Sequence, residues 1–341
     1  MNKILKIARI DAYSITPKYL QLINSILQGI QSGQIKNNDV LPSINELSYV
    51  LETARSTIER AYNELKRMGL VQSVAGKGFF IVHTQFQRPL KVLLLFNKLS
   101  IHKKIIYDAF AATLGSEAAI DFYIYNNDFN VFKKLLMEKI DHYAKCVIIP
   151  HFYENKELGY KLINTIAKEK LILMDKLTEG ITGEFGAVYE NFEEDIFSAL
   201  EQLTDRLSRY HTLRLIFPQN TYYSKKIMLG FLHFCQKYAY KNEIINGLGH
   251  HKIEPGSVYI NLAEDDLIIL IEKIIEGSFK IGKDIGIISY NETPIKKIIL
   301  DGITTISTDF KMMGEKAAEL LLNNSVEHIR IPFKVTLRKS L

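Results

Sequence analysis

The sequence predicts a mixed α/β protein in which a winged helix-turn-helix of the α+β type precedes two lobes, each built on a doubly wound parallel sheet. Two short amphipathic helices over Leu41–Met68 are followed by a hairpin that turns at Gly76-Lys77-Gly78. Beyond residue 90, apolar strands alternate with amphipathic helices, which is typical of parallel sheets covered by helices. The net charge of +5 lies wholly within residues 1–90, because residues 91–341 carry equal numbers of acidic and basic side chains.

Length and composition exclude several classes of protein. The 341 residues are enough for two domains, and the 47% hydrophobic and 24% charged residues are ordinary for a soluble globular protein. No apolar run approaches the roughly 20 residues that span a bilayer. The first residues lack the apolar core and the cleavage site of a signal peptide. We therefore expect a cytoplasmic protein with no membrane partner.

No metal, cofactor or catalytic centre is predicted. The two cysteines, Cys146 and Cys235, lie in apolar contexts, which disfavours a disulfide framework or a cysteine-ligated metal. His250 and His251 are adjacent, but no further ligand follows at a suitable spacing. No Ser/His/Asp or Cys/His arrangement has supporting motif context. We therefore predict a protein that is not an enzyme.

The first two helices of the amino-terminal part have clear start signals. Thr16 precedes Pro17, which combines a capping residue with proline at the first helical position, and Gly33 ends that helix. Ser43 and Glu46 have the spacing of a capping box, which predicts the start of the next helix.

The helix from about Ala54 to Met68 has the features of a DNA recognition helix. Its start carries arginines and small hydroxyl side chains, while apolar residues recur on its other face. A helix N-terminus favours phosphate, and short side chains let the backbone approach base edges in the major groove. The glycines on either side of Lys77 give the hairpin a tight basic tip that can enter the adjacent minor groove.

The amino-terminal part resembles the GntR family of bacterial transcription regulators. The matching residues are Pro17, Tyr19, Gln21, Leu41-Pro42-Ser43, Glu46-Leu47, Arg55-Ser56-Thr57-Ile58, Arg60-Ala61-Tyr62, Leu65, Gly69-Leu70-Val71 and Gly76-Lys77-Gly78-Phe79. The resemblance implies DNA contacts from residues of the capped turn, the recognition helix and the hairpin tip. The candidates for DNA contact are Ser43, Arg55, Ser56, Thr57, Arg60, Lys77 and Gly78.

A polar stretch that contains proline marks the predicted boundary between the two parts. We place the winged helix-turn-helix at residues 1–83, a linker at 84–90 and the two-lobed domain at 91–341. Ligands of open parallel sheets bind beyond the carboxyl ends of the strands. Two facing lobes therefore predict a cleft between two sets of strand ends.

The large part resembles the effector domain of the LacI/GalR repressors, which has a periplasmic-binding-protein-like fold. The strongest matches lie near the carboxyl end, at Lys283–Glu292, Gly302–Ile306, Met313–Leu321 and Ile331–Ser340. Further matches are Met174–Lys176, Glu190-Asn191, Gly230-Phe231 and Asp265–Leu267. The resemblance implies a small-molecule effector that binds between the lobes.

The candidate effector residues are polar or aromatic, and most of them follow directly after a strand. Amide and acid groups match the hydroxyls of a sugar, and aromatic rings stack on its apolar face. Lys226 is included because Ile227 stands where sugar-binding relatives often carry an arginine. The candidates are Phe96, Asn97, Asn127, His151, Asp175, Tyr189, Asn191, Tyr222, Lys226, Asp266, Tyr290 and Asn291.

These features lead to the hypothesis of a dimeric transcription regulator that binds a pseudo-palindromic operator. A small sugar (a pentose, hexose or deoxyhexose) in the cleft would change its affinity for double-stranded operator DNA. The alternatives are a regulator that senses a purine or another non-sugar metabolite, and a DNA-binding head fused to an enzyme-like domain. A sugar-transport binding protein is a further alternative, which the predicted DNA head opposes.

Overall fold

The computed structural model describes residues 4–11, 13–84, 90–115, 118–218, 221 and 223–341. The predicted fold class is confirmed: a helix-turn-helix region with a small sheet precedes two larger α/β sheets. The described residues form two compact units. One contains the chain up to Phe96 with Leu114–Tyr125 and Lys134–Val147; the other contains Asn97–Thr113, Asn126–Lys133 and Ile148–Leu341.

The amino-terminal region is a winged helix-turn-helix around its own core. Its helices are α1 (Ile4–Ile7), α2 (Lys18–Gln31), α3 (Ile44–Val50) and α4 (Arg55–Arg67). Its strands are β1 (Val40–Leu41), β2 (Val71–Val74) and β3 (Gly78–Ile81), in the order β1-β3-β2. Strand β1 was not predicted, since a two-residue strand has too little periodicity to detect. Leu22, Ile26, Leu47, Ile58 and Leu65 lie in the shared core.

A second sheet has the order β14-β8-β7-β6-β4-β5. Its strands are β4 (Leu90–Phe96), β5 (Ala118–Ile124), β6 (Lys145–Ile148), β7 (Leu171–Asp175), β8 (Gly186–Tyr189) and β14 (His328–Arg330). The associated helices are α5 (Ile101–Leu114), α6 (Phe129–Lys139), α7 (Lys156–Asn164) and α12 (Phe310–Leu322). Strand β4 pairs in parallel with β5, as do β7 with β8 and β8 with β14. Of the predicted linker, residues 85–89 lie outside the described residues.

The third sheet has the order β10-β9-β11-β12-β13-β15 and is parallel except for the pairing of β13 with β15. Its strands are β9 (Thr212–Ile216), β10 (Lys241–Ile245), β11 (Ser257–Asn261), β12 (Ile285–Tyr290), β13 (Thr304–Thr308) and β15 (Phe333–Thr336). The associated helices are α8 (Phe192–Gln202), α9 (Thr204–Leu207), α10 (Lys225–Lys237) and α11 (Glu264–Glu276).

Helices cover both faces of this third sheet. Val258 and Ile260 of β11 pack into a cluster with side chains of α8 and α10. Tyr259, between them in sequence, packs into a separate cluster with side chains of α11. Successive residues of a strand point to opposite faces, so the apolar run that suggested a buried parallel strand does bury both of its faces.

An amino-terminal arm, residues 13–16 together with Asp11, binds to strand β5. The Ile15 N–H donates to the Phe122 carbonyl at 2.9 Å, and the Phe122 N–H donates to the Thr16 hydroxyl oxygen at 2.7 Å. The capping role expected of Thr16 is wrong: α2 has Pro17 at its N-cap with no side-chain cap, and Thr16 uses its hydroxyl on β5. A buried strand amide needs an acceptor more than a helix terminus that water can reach.

Asp11 adds charged contacts to this arm. Its carboxylate accepts from the Tyr123 hydroxyl at 3.0 Å and from the Lys139 ammonium at 3.3 Å. Partial burial raises the pKa of Asp11, but the hydrogen bonds from the Tyr13 N–H, Tyr123 and Lys139 outweigh it and lower the pKa. The charged carboxylate is therefore the form that the arm stabilises.

Two further observations concern membrane-spanning helices and the cysteines. Throughout the part of the chain that the structure describes, no helix is both long enough and apolar enough to cross a membrane. Both cysteines are buried free thiols.

Gly230 lets α8 and α10 pack closely, which leads to a stability prediction. A Cβ at Gly230 would collide with the backbone oxygen of Glu193 and would approach Cγ2 of Ile196 to 2.6 Å. Gly230→Ala should therefore lower the free energy of unfolding by about 1–3 kcal/mol, measured by urea denaturation. The matched control is Gly247→Ala, because a Cβ at Gly247 would meet no atom within 4 Å. Equal stability of the two variants would contradict close packing at Gly230.

Candidate DNA-binding surface and ligand cavity

The start of α4 presents polar and cationic side chains to solvent. Arg55 and Ser56 are exposed and Thr57 is half-buried. The N-cap residue, Ala54, provides no side-chain hydrogen bond. The first N–H groups of α4 are therefore open to an anion, as at the helix N-termini that bind phosphate.

Ser43 and Arg60 have partners within the amino-terminal region. The exposed Ser43 is the N-cap of α3, as predicted, and its hydroxyl accepts the Glu46 N–H at 3.1 Å. The Arg60 guanidinium donates to the Tyr19 hydroxyl at 3.1 Å and lies 3.8 Å from the centre of the Tyr19 ring. Tyr19 thus holds Arg60 in one orientation at the surface, where it remains exposed.

The hairpin between β2 and β3 carries an exposed lysine at its tip. Gly76 and Gly78 have φ angles of +73° and +98°, which other residues rarely adopt. These angles produce the tight turn that places Lys77 in solvent. The contact of these residues with DNA remains a prediction.

A cavity lies at the carboxyl ends of strands, as expected for parallel sheets. Five predicted residues line it: Asn97, His151, Asp175, Tyr290 and Asn291. Polar residues that were not predicted also line it, namely His102, Lys103, Glu190, Tyr223 and Ser224. Phe192, Ile227 and Phe310 supply apolar surface. The cavity volume is about 40 Å³, which is below the usual range of small-ligand sites, so a sugar can enter only if the cavity widens.

Several predicted effector residues do not line this cavity. Phe96 is fully buried, and its ring packs edge-on against Phe122 at 4.9 Å. Asn127 accepts from the Asn97 side-chain amide at 2.8 Å, so it supports a cavity residue from behind. Asp266 lies in the first turn of α11, away from the cavity lining.

The remaining predicted residues lie elsewhere. Tyr189, Asn191 and Lys226 line a neighbouring depression, defined here as the outer pocket, which shares Glu190, Phe192 and Ser224 with the cavity. Tyr222 lies outside the described residues.

Asp175 is the central charged group of the cavity. It ends β7 with a φ of +71°, a conformation that residues other than glycine adopt uncommonly. Its carboxylate forms an ion pair with the Lys103 ammonium and a 2.9 Å hydrogen bond with Nε2 of His151. Burial raises the pKa of Asp175, but the Lys103 charge and His151 more than offset it and hold the pKa well below its usual range. Asp175 is therefore ionised.

The other titratable groups of the cavity are held in their neutral forms. Burial, followed by the negative charge of Asp175, raises the pKa of Glu190 well above its usual value. Burial and the positive charge of Lys103 lower the pKa of His102 to about 3. Burial also lowers the pKa of His151, although Asp175 opposes the shift. The Lys103–Asp175 pair thus cancels its own charge in a cavity that is otherwise neutral.

Two buried polar atoms of the cavity lack hydrogen-bond partners among the described residues. They are Oδ1 of Asn97 and the hydroxyl of Tyr290. The next residue, Asn291, has a φ of +65°. The buried Lys296 ammonium fixes this strand end, since it donates to the Tyr290 and Asn291 carbonyls at 3.0 and 2.8 Å. Lys296 thus fixes the strand end that carries Tyr290, whose hydroxyl stays unpaired among the described residues.

Within the described residues, no group of three or more His, Cys, Asp or Glu side chains is placed to hold a metal ion.

Lys103 was not predicted, although its spacing contained a signal. Lys103, Ile106 and Phe110 recur at positions i, i+3 and i+7 of α5, and all three are buried. A lysine on the apolar face of a helix needs a buried counter-charge. The sequence alone gave no indication that this counter-charge was Asp175, 72 residues later.

Comparison with known structures defines the class of fold. The Lac repressor bound to ONPG superimposes on this chain with a TM-score of 0.62 at 15% sequence identity. The superposition covers 84% of this chain and 90% of the Lac repressor chain. The chain therefore has the fold of a helix-turn-helix head followed by a periplasmic-binding-protein-like domain of the LacI type.

The amino-terminal region has a family of its own. Residues 18–81 match the model of the bacterial regulatory proteins of the gntR family, so this segment is a GntR-family helix-turn-helix domain. This region is 36% identical over 73 residues to the transcriptional repressor YtrA of Bacillus subtilis. The alignment covers 21% of this chain and 56% of YtrA. The same region is 37% identical over 65 residues to the arabinose metabolism transcriptional repressor of Geobacillus stearothermophilus, covering 19% and 18%. The chain thus spans about half of the first relative's length and less of the second.

The buried ion pair leads to a stability prediction. Asp175→Asn leaves the Lys103 ammonium, whose side chain is 4% exposed, without its counter-charge. The free energy of unfolding should fall by about 3–5 kcal/mol, measured by urea denaturation, and the additional change Lys103→Met should recover part of this loss. The control is Asp108→Asn, which breaks the exposed pair with Lys104 on the same helix and should cost less than about 1 kcal/mol. Equal losses in the two single variants would refute the buried pair.

The same pair sets a direction for the dependence on pH. The pKa of Asp175 in the fold lies below that of an unfolded aspartate. The pair therefore stabilises the fold above the unfolded pKa of about 4, and this contribution is lost as pH falls through the lower folded pKa. Asp175→Asn should remove that part of the acid sensitivity.

Proposed function

We propose that this protein is a cytoplasmic transcription regulator whose winged helix-turn-helix binds operator DNA and whose cavity binds a small molecule that alters this binding. The observation that carries the proposal is the exposed start of α4, with Arg55 and Ser56 in solvent, in a segment that belongs to a DNA-binding family. Residues 1–83 are its DNA-binding domain, 84–90 its linker and 91–341 its effector domain.

The DNA contacts come from two elements. The N-terminal turn of α4 enters the major groove, where Arg55 reads a base edge and the uncapped N–H groups bind backbone phosphate. Lys77, exposed at the hairpin tip, neutralises phosphate or enters the minor groove. The protein acts as a homodimer on a pseudo-palindromic site, because one such head covers only a half-site.

The part of the effector that occupies the cavity is uncharged and rich in hydroxyl groups, as a small sugar is. The cavity's ion pair is internally neutralised, and its other titratable groups are held uncharged. Asn97, Tyr290 and the protonated Glu190 offer acceptors and donors that match hydroxyl groups. Phe192 and Phe310 provide apolar surface for the face of a sugar ring. Asn127 acts indirectly, by orienting Asn97.

The proposed role is binding and not catalysis. The names of the similar proteins describe transcriptional repressors. The one lysine among the residues that line the cavity, Lys103, is engaged with Asp175 and therefore is not a free amine for a Schiff base.

The role of Arg55 predicts a loss of sequence-specific affinity. Arg55→Ala should weaken binding to the operator by about 1–3 kcal/mol if Arg55 contacts a base. The measurement is fluorescence anisotropy with duplexes that tile the region upstream of the gene, each compared with a scrambled duplex. The control is Arg67→Ala, which removes the same charge from the opposite end of α4, where Arg67 is paired with Glu64. A loss that is equal for the two variants, or equal for operator and scrambled DNA, would reject base reading by Arg55.

The effector proposal predicts linkage between the two sites. A sugar at 100 times its dissociation constant should stabilise the protein by about 2.7 kcal/mol, so thermal-shift screening of monosaccharides, with purines for comparison, identifies the ligand. The ligand's affinity should then differ with and without operator by a coupling of about 1–3 kcal/mol. Identical affinities would rule out the switch, and a response to purines alone would replace the sugar.

A further inference from the structure

The outer pocket beside the cavity has a different charge from the cavity itself. Lys176 and Lys226 line it, together with Thr178 and residues at the start of α10. Glu190, Phe192 and Ser224 line both spaces, so the outer pocket adjoins the cavity.

The two lysines of the outer pocket are close enough to repel each other. Burial lowers the pKa of Lys176, Asp175 raises it, and the charge of Lys226 lowers it further. The Lys176 ammonium donates to the neutral Tyr160 hydroxyl at 3.2 Å. Lys226 is exposed and forms no ion pair with any described residue. A bound anion would relieve the repulsion between these two ammonium groups.

The carboxyl groups around the outer pocket do not supply that anion. Glu190 has a strongly raised pKa and is held in its neutral form. Glu157 also raises the pKa of Lys176, but Glu157 and Glu179 are both exposed, so water screens their charges. Asp175 raises the pKa of Lys176 as well, but its carboxylate is already paired with the Lys103 ammonium. The outer pocket therefore retains positive charge.

The start of α10 adds backbone donors. Ser224 is its N-cap, and the Ser224 hydroxyl accepts the Lys226 N–H at 3.3 Å. The helix extends over 13 residues, so its first turn carries a partial positive charge. This charge adds to that of the two lysines.

A buried hydroxyl provides an independent indication of a ligand. Thr178 lines the outer pocket and is 8% exposed. Its hydroxyl is buried and has no hydrogen-bond partner among the described residues. A buried unpaired hydroxyl costs stability, and a phosphate oxygen in the pocket would accept a hydrogen bond from the Thr178 hydroxyl.

We propose that the outer pocket binds the phosphate group of a phosphorylated sugar whose hydroxyl-rich part occupies the cavity. This inference rests on the proposed function, and it adds a charged phosphate group to the sugar that the proposed function places in the cavity. A phosphate dianion matches the two ammonium groups, and its three acceptor oxygens match Lys176, Lys226 and Thr178. The cavity's neutral lining accommodates the part of the ligand that carries no charge.

The test is ³¹P NMR titration of the full-length protein with two probes, inorganic phosphate and hexose 6-phosphates. We expect both probes to bind, the matching ester at least about tenfold more tightly than inorganic phosphate, because only the ester also fills the cavity. Lys226→Gln should weaken the binding of both probes by about tenfold. Lys225→Gln is the matched control, since Lys225 is exposed on the same turn of α10 but does not line the outer pocket.

Thr178→Val provides a second variant that separates binding from folding. The hydroxyl has no partner among the described residues, so its removal should leave the melting temperature unchanged or raised while phosphate affinity falls. A lower melting temperature with unchanged phosphate affinity would overturn the role of Thr178.

Other outcomes also decide the matter. The proposal would be overturned if neither probe bound, or if the Lys225 and Lys226 variants lost the same affinity. It would also be overturned if the ester bound no more tightly than inorganic phosphate. Free monosaccharides that shift operator binding while their phosphates do not would overturn it and leave the proposed function intact. If the probes bind but no duplex does, the proposed function fails and the phosphate site stands.

Discussion

The buried ion pair between Asp175 and Lys103 is the interaction on which the cavity depends. Either charge alone would be very costly to bury, and together they are neutral. Burial is the main cause that raises the pKa values of Glu190 and Tyr290, and the charge of Asp175 raises both further, so both groups keep their protons. The cavity is therefore a site for hydrogen bonding without net charge.

The cavity also touches the segments where the chain passes between the two larger sheets. Glu190 directly follows β8, Phe192 begins α8, and Phe310 begins α12 after β13. Backbone hydrogen bonds join these crossings: the Ile331 N–H donates to the Tyr189 carbonyl at 2.9 Å, and the Asp309 N–H donates to the Pro332 carbonyl at 3.1 Å. A ligand that contacted Glu190 and Phe310 would therefore touch these crossing segments directly.

The sequence was most informative where local rules decide the structure. The recognition helix, the capped turn at Ser43 and the glycines of the hairpin tip follow from propensity and turn chemistry, and strand-end positions located Asn97, His151, Asp175 and Asn291. Lys103 was missed because it reaches the cavity from the first turn of α5 and not from a strand end. Glu190 directly follows β8, but the strand-end rule alone did not separate it from its neighbours Tyr189 and Asn191. Phe96 was misjudged because the last residue of a strand can still point into the core. These distinctions depend on the tertiary fold and not on local spacing.

The arm at Ile15 and Thr16 has a consequence for aggregation through the edge of the sheet that β5 forms. Strand β5 ends the order of its sheet, and an exposed edge strand offers unpaired backbone groups to any other chain. Ile15 and Thr16 occupy both the carbonyl and the amide of Phe122 in the middle of that edge. The arm therefore blocks the pairing of another chain with this edge. Removal of the arm would expose backbone groups of β5 to which further strands could add.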